Sequence, residues 1–485
     1  MNNGALPLES NERNVTLFGN NSAHTIYRSG AGGPTPNDEY VIDMAKAFKD
    51  GGFQINQALY DAYASSGIQY GTDTAGEVPA SFYTNDLRDT FSSYNDVAIV
   101  TFARYGTENT DLSRNTADGK PLLALADNEA ALLQMINESG QFDKIVVLLN
   151  GAMPMELGWL EEYNVDACLW FGNPGYYGLP GVVNILTGDA NPSGHTVNTF
   201  AADSMASPVM QNFGDFTFTF DGTPVDQQFG TKYVVYAEGI YVGYKYYETR
   251  YEDAVLGQGN ASSAAGTFAG ASSWDYDEEV CFPFGYGLSY TQFTQELEGV
   301  RETEDTFEVT VKVTNSGGVP GRSVVQVYAQ TPYTDFDKEN GIEAASVELV
   351  GFDKTEELAA NASEEVVISV DKEDLTHYDP FVNKTFIMEA GDYYLAVGDN
   401  AHDAVNNILA AKGKEVGGDA EQVYSYTLAQ TDTQTYAVTD GNVMITNQFD
   451  DVDLNYYIDG AVTYLSRSDW NATWPEEMNE LSANA

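Results

Sequence analysis

Two patterns of hydrophobicity divide the chain, and this division constrains the fold more than any other feature. Up to about residue 220, short and nearly continuous apolar runs alternate with helix-like segments at 38–49 and 128–136. The apolar runs are VTLFG (15–19), VAIVTF (97–102), KIVVLLNG (144–151) and DACLWFG (166–172). Buried strands that alternate with helices predict a mainly parallel sheet covered on both faces.

From residue 306 the apolar residues recur at every second position. The segments are TFEVTVKVT (306–314), SVVQVYAQ (323–330), EEVVISV (364–370) and GDYYLAVGD (391–399). Repeated short strands of this kind predict an antiparallel all-β sandwich. We therefore expect a multidomain protein in which an α/β sandwich with a mainly parallel sheet is followed by an all-β sandwich. The expected boundaries are 1–225 for the α/β domain, 226–295 for an aromatic and Gly-rich link, 296–415 for the β-sandwich, and 416–485 for an extension.

The length of the chain predicts more than one domain, because 485 residues are too many for one hydrophobic core. The charge of the chain limits the kinds of partner that it can bind. Its formal net charge of -51 argues against nucleic acid or an anionic membrane as partner, because either would require a basic face. No apolar run is long enough to span a bilayer, and the first residues lack the basic start and apolar core of a signal peptide. We expect a cytoplasmic, bacterial location, with secretion left open.

No cofactor or metal is expected from the motifs. The two cysteines, at 168 and 281, form no metal-binding spacing, and the four histidines are far apart in sequence. The Gly-rich SGAGG (29–33) is neither a dinucleotide fingerprint nor a Walker loop, so it indicates a turn rather than a phosphate cradle.

The polar loop after the run at 97–102 is the first candidate for chemistry. It reads ARYGTENTD and carries Arg104, Glu108 and Asp111. Ligands of parallel sheets lie outside the carboxyl ends of the strands, which is where Glu108 would stand. Glu108 is therefore a candidate general acid, and the alternative is a solvated loop carboxylate. Arg104 and Asp111 either orient this loop and contact substrate or are surface charges.

The segment 233–253, YVVYAEGIYVGYKYYETRYED, is unusually rich in tyrosine. Tyrosine faces stack on the C–H surfaces of sugars while their hydroxyl groups form hydrogen bonds, so this segment could line a sugar site. The alternative is that most of these rings pack between domains.

Several longer stretches resemble glycoside hydrolase family 3, the β-glucosidase-like enzymes. NGALPL (3–8) with VTLFG resembles the start of that family's α/β sandwich domain, and ACLWFGNPGYYG (167–178) with DANPSG (189–194) resembles its strand, loop and turn. YAEGIYVGYKYYE (236–248) and FPFGYGLSYTQF (282–293) resemble its link to a fibronectin type III-like domain. VTNSGGVPGRSVVQVY (313–328) is similar to the signature of that domain.

The resemblance implies a (β/α)8 barrel that this chain does not contain. In the family the barrel holds the nucleophilic aspartate, and some bacterial members are permuted so that the barrel comes last. AVTYLSRSDWNATWP (461–475) resembles the junction into such a barrel. We therefore expect the chain to be the front half of a permuted enzyme, which needs a barrel in cis or in trans.

The resemblance also implies a retaining mechanism on a β-linked glucoside or oligosaccharide, with Glu108 as the acid/base. Many members have Gly-Glu-Gly where this chain has Thr107-Glu108-Asn109. The nucleophile is not assigned. Asp469 superficially matches its Ser-Asp-Trp setting, but it lies at the entry to the barrel rather than on a late barrel strand. The alternative function is a non-catalytic module for carbohydrate binding or assembly.

Overall fold

The computed structural model describes residues 1–28, 40–108, 112–117, 119–214, 216–217, 219–220, 223–224, 232–447 and 450–478. These residues form two compact units. The first unit is Met1–Pro192 with Phe200–Ser204. The second is Ser193–Thr199 with the described part of Met205–Ala485.

The first unit is built on a parallel sheet. The strands of this unit are β1 (Asn14–Phe18), β2 (Gln54–Ile55), β3 (Val97–Ala103), β4 (Ile145–Asn150), β5 (Ala167–Gly172) and the short β6 (Phe200–Ala201), and the first five form the sheet. Its helices are α1 (Met44–Asp50), α2 (Gln57–Ala64), α3 (Asn85–Asp89), α4 (Asp127–Ser139) and α5 (Leu179–Thr187). The sheet has the order β2-β1-β3-β4-β5, and every neighbouring pair is parallel.

Strand β3 lies at the centre of this sheet, and all seven of its residues are buried. A strand covered on both faces has no solvent side, which explains its continuous apolar sequence. The predicted helix at 128–136 is α4. The helix predicted over 38–49 is α1, which begins at Met44, where the Asp43 side chain caps it by accepting the Lys46 N–H at 2.6 Å. Residues 38 and 39 of that prediction, and the predicted turn at 29–33, lie outside the described residues.

The second unit is mainly antiparallel. Its strands are β7 (Phe216–Thr217), β8 (Thr219–Phe220), β9 (Thr223–Pro224), β10 (Lys232–Tyr233), β11 (Val280–Phe282), β12 (Phe293–Glu302), β13 (Thr306–Asn315), β14 (Val324–Gln330), β15 (Glu348–Lys354), β16 (Ser363–Asp371), β17 (His377–Asp379), β18 (Thr385–Ile387), β19 (Gly391–Val397) and β20 (Val423–Leu428). Its helices are α6 (Tyr244–Leu256), α7 (Tyr276–Glu279), α8 (Asp335–Asn340), α9 (Ala401–Ala411) and α10 (Leu454–Tyr457).

Two antiparallel sheets, β12-β13-β16 and β15-β14-β19-β20, form the sandwich. Along β13 every second residue is buried, beginning with Phe307 and Val309. Their side chains share one core with Val327 on β14, Ile368 on β16 and Leu395 on β19. The predicted fold class, a mainly parallel α/β domain followed by an all-β sandwich, is confirmed.

A buried arginine of helix α6, Arg250, holds the loop at 261–265. The Arg250 guanidinium group donates to the carbonyl oxygens of Ala261, Ser263 and Ala265 at 2.8, 3.0 and 2.7 Å, and to the Tyr246 hydroxyl at 2.7 Å. These contacts give a fixed path to a stretch rich in Gly, Ala and Ser, which has few side chains of its own to pack.

Among the described residues, we find no helix that is both long and apolar enough to cross a membrane.

Candidate active-site loop

The loops at the carboxyl end of the parallel sheet are joined by one amide side chain. Asn150, the last residue of β4, accepts the Ile26 N–H at 2.6 Å and donates to the carbonyl oxygens of Ile26 and Gly172 at 3.0 and 2.7 Å. These bonds tie the segment after β1 to the end of β5. The loops at this edge of the sheet, where ligands of parallel sheets bind, are therefore held together by hydrogen bonds.

Arg104, the first residue after β3, is buried and clamps the base of the candidate loop. Its guanidinium group forms a two-pronged ion pair with Glu129 of α4, with Nη1–Oε1 at 2.7 Å and Nη2–Oε2 at 2.8 Å. It also donates to the carbonyl oxygens of Ala103, Leu122 and Ala124 at 2.8, 2.6 and 2.6 Å. All five N–H groups of the arginine are thereby used, and the two ends of the segment 104–124 are held together.

Both limbs of the loop also contact the segment 70–74. The ring of Tyr105 lies 5.1 Å from that of Tyr70. On the returning limb, the N–H of Ser113 donates to the Thr72 carbonyl oxygen at 2.9 Å. Between these two contacts the chain carries Glu108.

Glu108 is exposed to solvent. The structure therefore places an unburied carboxyl group on a loop that leaves the central strand and is fixed at its base. Asp111 lies outside the described residues. Of the three predicted site residues, Arg104 is a buried member of the clamp and Glu108 lies four residues beyond it.

Glycine is required where the clamp meets β4. A Cβ atom on Gly151, whose φ is +142°, would lie 2.4 Å from the Arg104 carbonyl oxygen. This close approach allows the Arg104 N–H to donate to the Asn150 carbonyl oxygen at 3.2 Å.

Two further carboxyl groups lie near this edge, Glu77 buried and Glu156 half-buried, and neither is among the predicted site residues. Glu77 accepts the N–H groups of Asn20 and Val78 at 3.0 and 2.9 Å, and burial raises its pKa to about 8. Glu156 accepts the N–H and the hydroxyl of Ser204 at 2.9 and 2.7 Å, and burial raises its pKa as well. Glu77 follows no apolar run, so no pattern in the sequence marks it. Glu156 follows the apolar run at 144–151 about as closely as Glu108 follows the run at 97–102, and this signal could have identified it.

In the second unit, Asp469 closes a turn. Its carboxylate accepts the N–H groups of Asn471 and Ala472 at 3.1 and 2.9 Å. A hydrogen bond from the Asn260 side chain, together with these two, lowers its pKa. The Asp469 carboxylate therefore stabilises this turn.

Most tyrosines of the segment 233–253 for which burial is described pack inside the second unit. Tyr241 and Tyr246 are buried, and their rings lie 4.9 and 5.8 Å from the ring of Trp470. Tyr244 stacks on Phe284 at 4.4 Å. Tyr236 differs, since 70% of its surface is exposed.

Comparison with known proteins adds family information to this geometry. Residues 1–244 match the glycosyl hydrolase family 3 C-terminal domain, and residues 323–401 match a fibronectin type III-like domain. The "Beta-glucosidase" of Ruminococcus albus is 31% identical over 417 residues, which is 83% of this chain and 38% of that protein. "Beta-glucosidase A" of Butyrivibrio fibrisolvens is 25% identical over 441 residues, which is 82% of this chain and 47% of that protein.

Solved structures agree with these matches. β-Glucosidase 3B from Thermotoga neapolitana aligns with a TM-score of 0.66 and 25% identity, covering 89% of this chain and 52% of that one. A β-glucosidase from Paenibacillus barengoltzii aligns with a TM-score of 0.65 and 26% identity, covering 89% and 42%. The chain spans less than half the length of the two curated relatives named above. The first family match covers more than half of the 485 residues, and the chain belongs to glycoside hydrolase family 3.

Proposed function

We propose that this chain supplies the acid/base half of a retaining β-glucosidase-type hydrolase, with Glu108 as the acid/base. The observation that carries the proposal is the position of Glu108, exposed on a loop that leaves the central strand and is clamped at its base by Arg104 and Glu129. A general acid must reach a substrate oxygen. Because the two ends of the loop are fixed, the positions that the Glu108 carboxyl group can reach are restricted.

The chemistry divides between two carboxyl groups. In a retaining hydrolase one attacks the anomeric carbon and the other first protonates the departing oxygen and then activates water, across a gap of about 5–5.5 Å. A partner domain that covers a carboxyl group removes its water, and loss of water favours the neutral form that can donate a proton. Glu108 takes the second role.

The nucleophile resides on a barrel that acts in cis or in trans. The support is the length comparison, because the β-glucosidase relatives are more than twice as long as the part that this chain matches. The proposed substrate is a β-linked glucoside or oligosaccharide, since the relatives are named β-glucosidases.

Arg104 is a positioning residue in this proposal. It contacts the two ends of the loop and Glu129 and has no N–H left for a sugar. Asp111 remains a candidate for orienting Glu108.

The test uses the full chain mixed with a separately expressed family barrel, and two aryl β-glucosides with good and poor leaving groups. A good leaving group departs with little protonation, so Glu108→Gln should lower the rate about 10²–10⁴-fold on the poor one and far less on the good one. The matched control is Glu161→Gln, which changes an exposed carboxylate of the same unit. Equal turnover by wild type and Glu108→Gln on both substrates would refute the assignment.

A second candidate function is a non-catalytic module that binds carbohydrate. It is favoured by exposed aromatic rings in the second unit, since Tyr236, Tyr456 and Tyr457 are 70%, 64% and 67% exposed. Calorimetric titration of the chain alone with β-linked gluco-oligosaccharides tests it. Binding that Tyr236→Ala or Tyr457→Ala abolishes, with no turnover when a barrel is added, would favour this function over the first.

A further inference from the structure

Three side chains of the fibronectin type III-like region converge on one point far from the candidate loop in sequence. They are Asp337 on α8, His377 on β17 and Glu389, which follows β18. One oxygen of each carboxylate and one imidazole nitrogen lie within 4.8 Å of one another. We propose that this cluster binds one divalent transition-metal ion of the zinc type.

Apart from the 3.7 Å approach of His377 Nε2 to Glu389 Oε2, the converging atoms make no polar contact of hydrogen-bonding geometry among the described residues. Asp337 Oδ1, His377 Nε2 and Glu389 Oε2 are buried and find no hydrogen-bond partner there. Asp337 is fully buried, the Glu389 side chain is 5% exposed and that of His377 is 10% exposed. A buried polar atom without a hydrogen-bond partner is unfavourable, and three of them that face one point indicate a missing ligand.

The other oxygen of each carboxylate is held by Thr334. Asp337 Oδ2 accepts the Thr334 N–H at 2.6 Å, and Glu389 Oε1 accepts the Thr334 hydroxyl. One oxygen of each group is therefore fixed while the second points into the cluster. Metal-binding carboxylates are commonly oriented by an outer hydrogen bond of this kind.

Charge favours a cation at the same point. Two buried carboxyl groups face one imidazole, and His377 Nε2 lies 3.7 Å from Glu389 Oε2. Buried carboxylates are normally paired or bound to a metal, because an uncompensated charge in the interior is costly. A divalent ion would neutralise both.

Ligand type and size select the metal. Because the three atoms lie within 4.8 Å of one another, one point lies within about 2.8 Å of all three, whereas zinc bonds to such atoms are about 2.0–2.2 Å long. Each atom would have to move inward by less than about 1 Å. An imidazole among the ligands favours zinc and its neighbours over magnesium or calcium, which prefer oxygen alone.

The ion would join elements that the sequence keeps apart. The three ligands are at positions 337, 377 and 389, so they form no local motif, and the sequence patterns predict no metal site there. A bound ion would hold the short helix α8 against the hairpin of β17 and β18. Its role in this proposal is structural and does not depend on Glu108.

The test measures zinc in the full chain. The protein is stripped with a chelator, equilibrated with ZnCl₂, freed of loose metal by gel filtration, and analysed for zinc by mass spectrometry and for Tm by calorimetry. Wild type should retain one zinc per chain and gain several degrees in Tm. Co²⁺ bound in place of zinc should give the visible absorption typical of a low coordination number.

Asp337→Asn, Glu389→Gln and His377→Ala should each abolish retention and the gain in Tm. The matched control is Asp335→Asn on the same helix, whose side chain is 95% exposed and pairs with Lys338 at 3.6 Å; it should behave as wild type. Asp337→Asn preserves shape, so it reports even if His377→Ala fails to fold. Retention that is absent in wild type, or equal in wild type and all three variants because zinc binds the acidic surface at large, would overturn the proposal. A rise in Tm for metal-free Asp337→Asn, without zinc retention by wild type, would also overturn it by indicating a proton-sharing carboxyl pair.

Discussion

Arg104 and Glu129 form a buried, two-pronged ion pair at the base of the loop that carries Glu108, with both N–O distances below 3 Å. Glu129 also accepts the Ala126 N–H at 2.9 Å, so it caps the start of α4 while it binds the arginine. The pair thus couples the end of the central strand to the beginning of a helix. Removing one member would leave a buried charge without its partner.

We predict that Arg104→Met lowers the free energy of unfolding by about 3–5 kcal/mol, because it leaves the buried Glu129 carboxyl group without its ion-pair partner. The double variant Arg104→Met/Glu129→Leu should recover part of that loss. Urea unfolding measures both. The control is Lys120→Met, whose exposed pair with Asp127 should be worth about 1 kcal/mol or less. If Arg104→Met cost no more than Lys120→Met, the clamp would not hold the loop as described.

We predict that Gly151→Ala lowers the free energy of unfolding by at least about 2 kcal/mol, because the new Cβ meets the Arg104 carbonyl oxygen at a backbone angle that L-residues rarely adopt. Gly181→Ala in α5 is the control, since a Cβ there meets nothing within 4 Å and alanine favours the helix by up to about 1 kcal/mol. Thermal unfolding distinguishes the two. A similar small change in both variants would contradict the close approach.

Glu77 predicts a specific pH dependence. Its pKa is about 8 when folded against an ordinary value of 4.5, so between these values the folded state keeps a proton that the unfolded state has released. The contribution of this group therefore stabilises the fold at low pH, falls as pH rises through this window, and is lost above about 8. Glu77→Gln should remove that slope when the free energy of unfolding is measured from pH 5 to 9.

The control for loss of a charge alone is Glu138→Gln, which changes an exposed carboxylate on α4. A Glu77→Gln profile parallel to that of wild type over the whole range would show that Glu77 keeps its ordinary titration.

We predict that Arg467→Met loosens the second unit. Arg467 Nη2 donates to Asp253 Oδ1 at 2.6 Å and to Glu252 Oε2 at 3.1 Å, and Trp470 Nε1 donates to Asp253 Oδ2 at 2.8 Å. Losing the arginine should cost about 3–5 kcal/mol, because buried carboxylates lose a partner. It should also expose Trp470, which a red shift in tryptophan fluorescence would report.

Arg467→Lys should lie between wild type and Arg467→Met, because an ammonium keeps the charge but cannot reproduce the fork. Arg322→Met, which breaks an exposed pair with Glu356, should change stability by about 1 kcal/mol or less. An Arg467→Met variant that behaves like Arg322→Met would contradict the role of the buried network.

Periodicity was sufficient to predict the main layers. Val97 to Phe102 had no polar residue on either face except Thr101, and β3 is buried throughout. The alternation from Thr306 to Thr314 likewise became β13, because one face packs in the core and the other is more open. Local composition dictates such elements, and the two patterns differ enough to separate the α/β domain from the sandwich.

Contacts between residues distant in sequence could not be predicted in this way. The sequence marks Arg104 as a candidate site residue, but its partner Glu129 is 25 residues away on α4, and no sequence pattern pairs the two. Asp337, His377 and Glu389 come together only after α8 and the β17–β18 hairpin have formed. The burial of Glu77 could not be predicted from the neighbouring residues, because it depends on segments distant in sequence, including the one that carries the N–H of Asn20.

Arg250 makes contact with its loop almost wholly through main-chain carbonyl oxygens, which every amino acid possesses. The identity of the residues at 261, 263 and 265 is therefore of little consequence to that bonding. The side chains from 262 to 265 could therefore change over evolutionary time while the path of the chain stays the same, provided that this one guanidinium persists and that the buried residue 261 stays small. Conservation would then concentrate on Arg250, and a comparison of sequences alone would not show that the loop it holds has a fixed path.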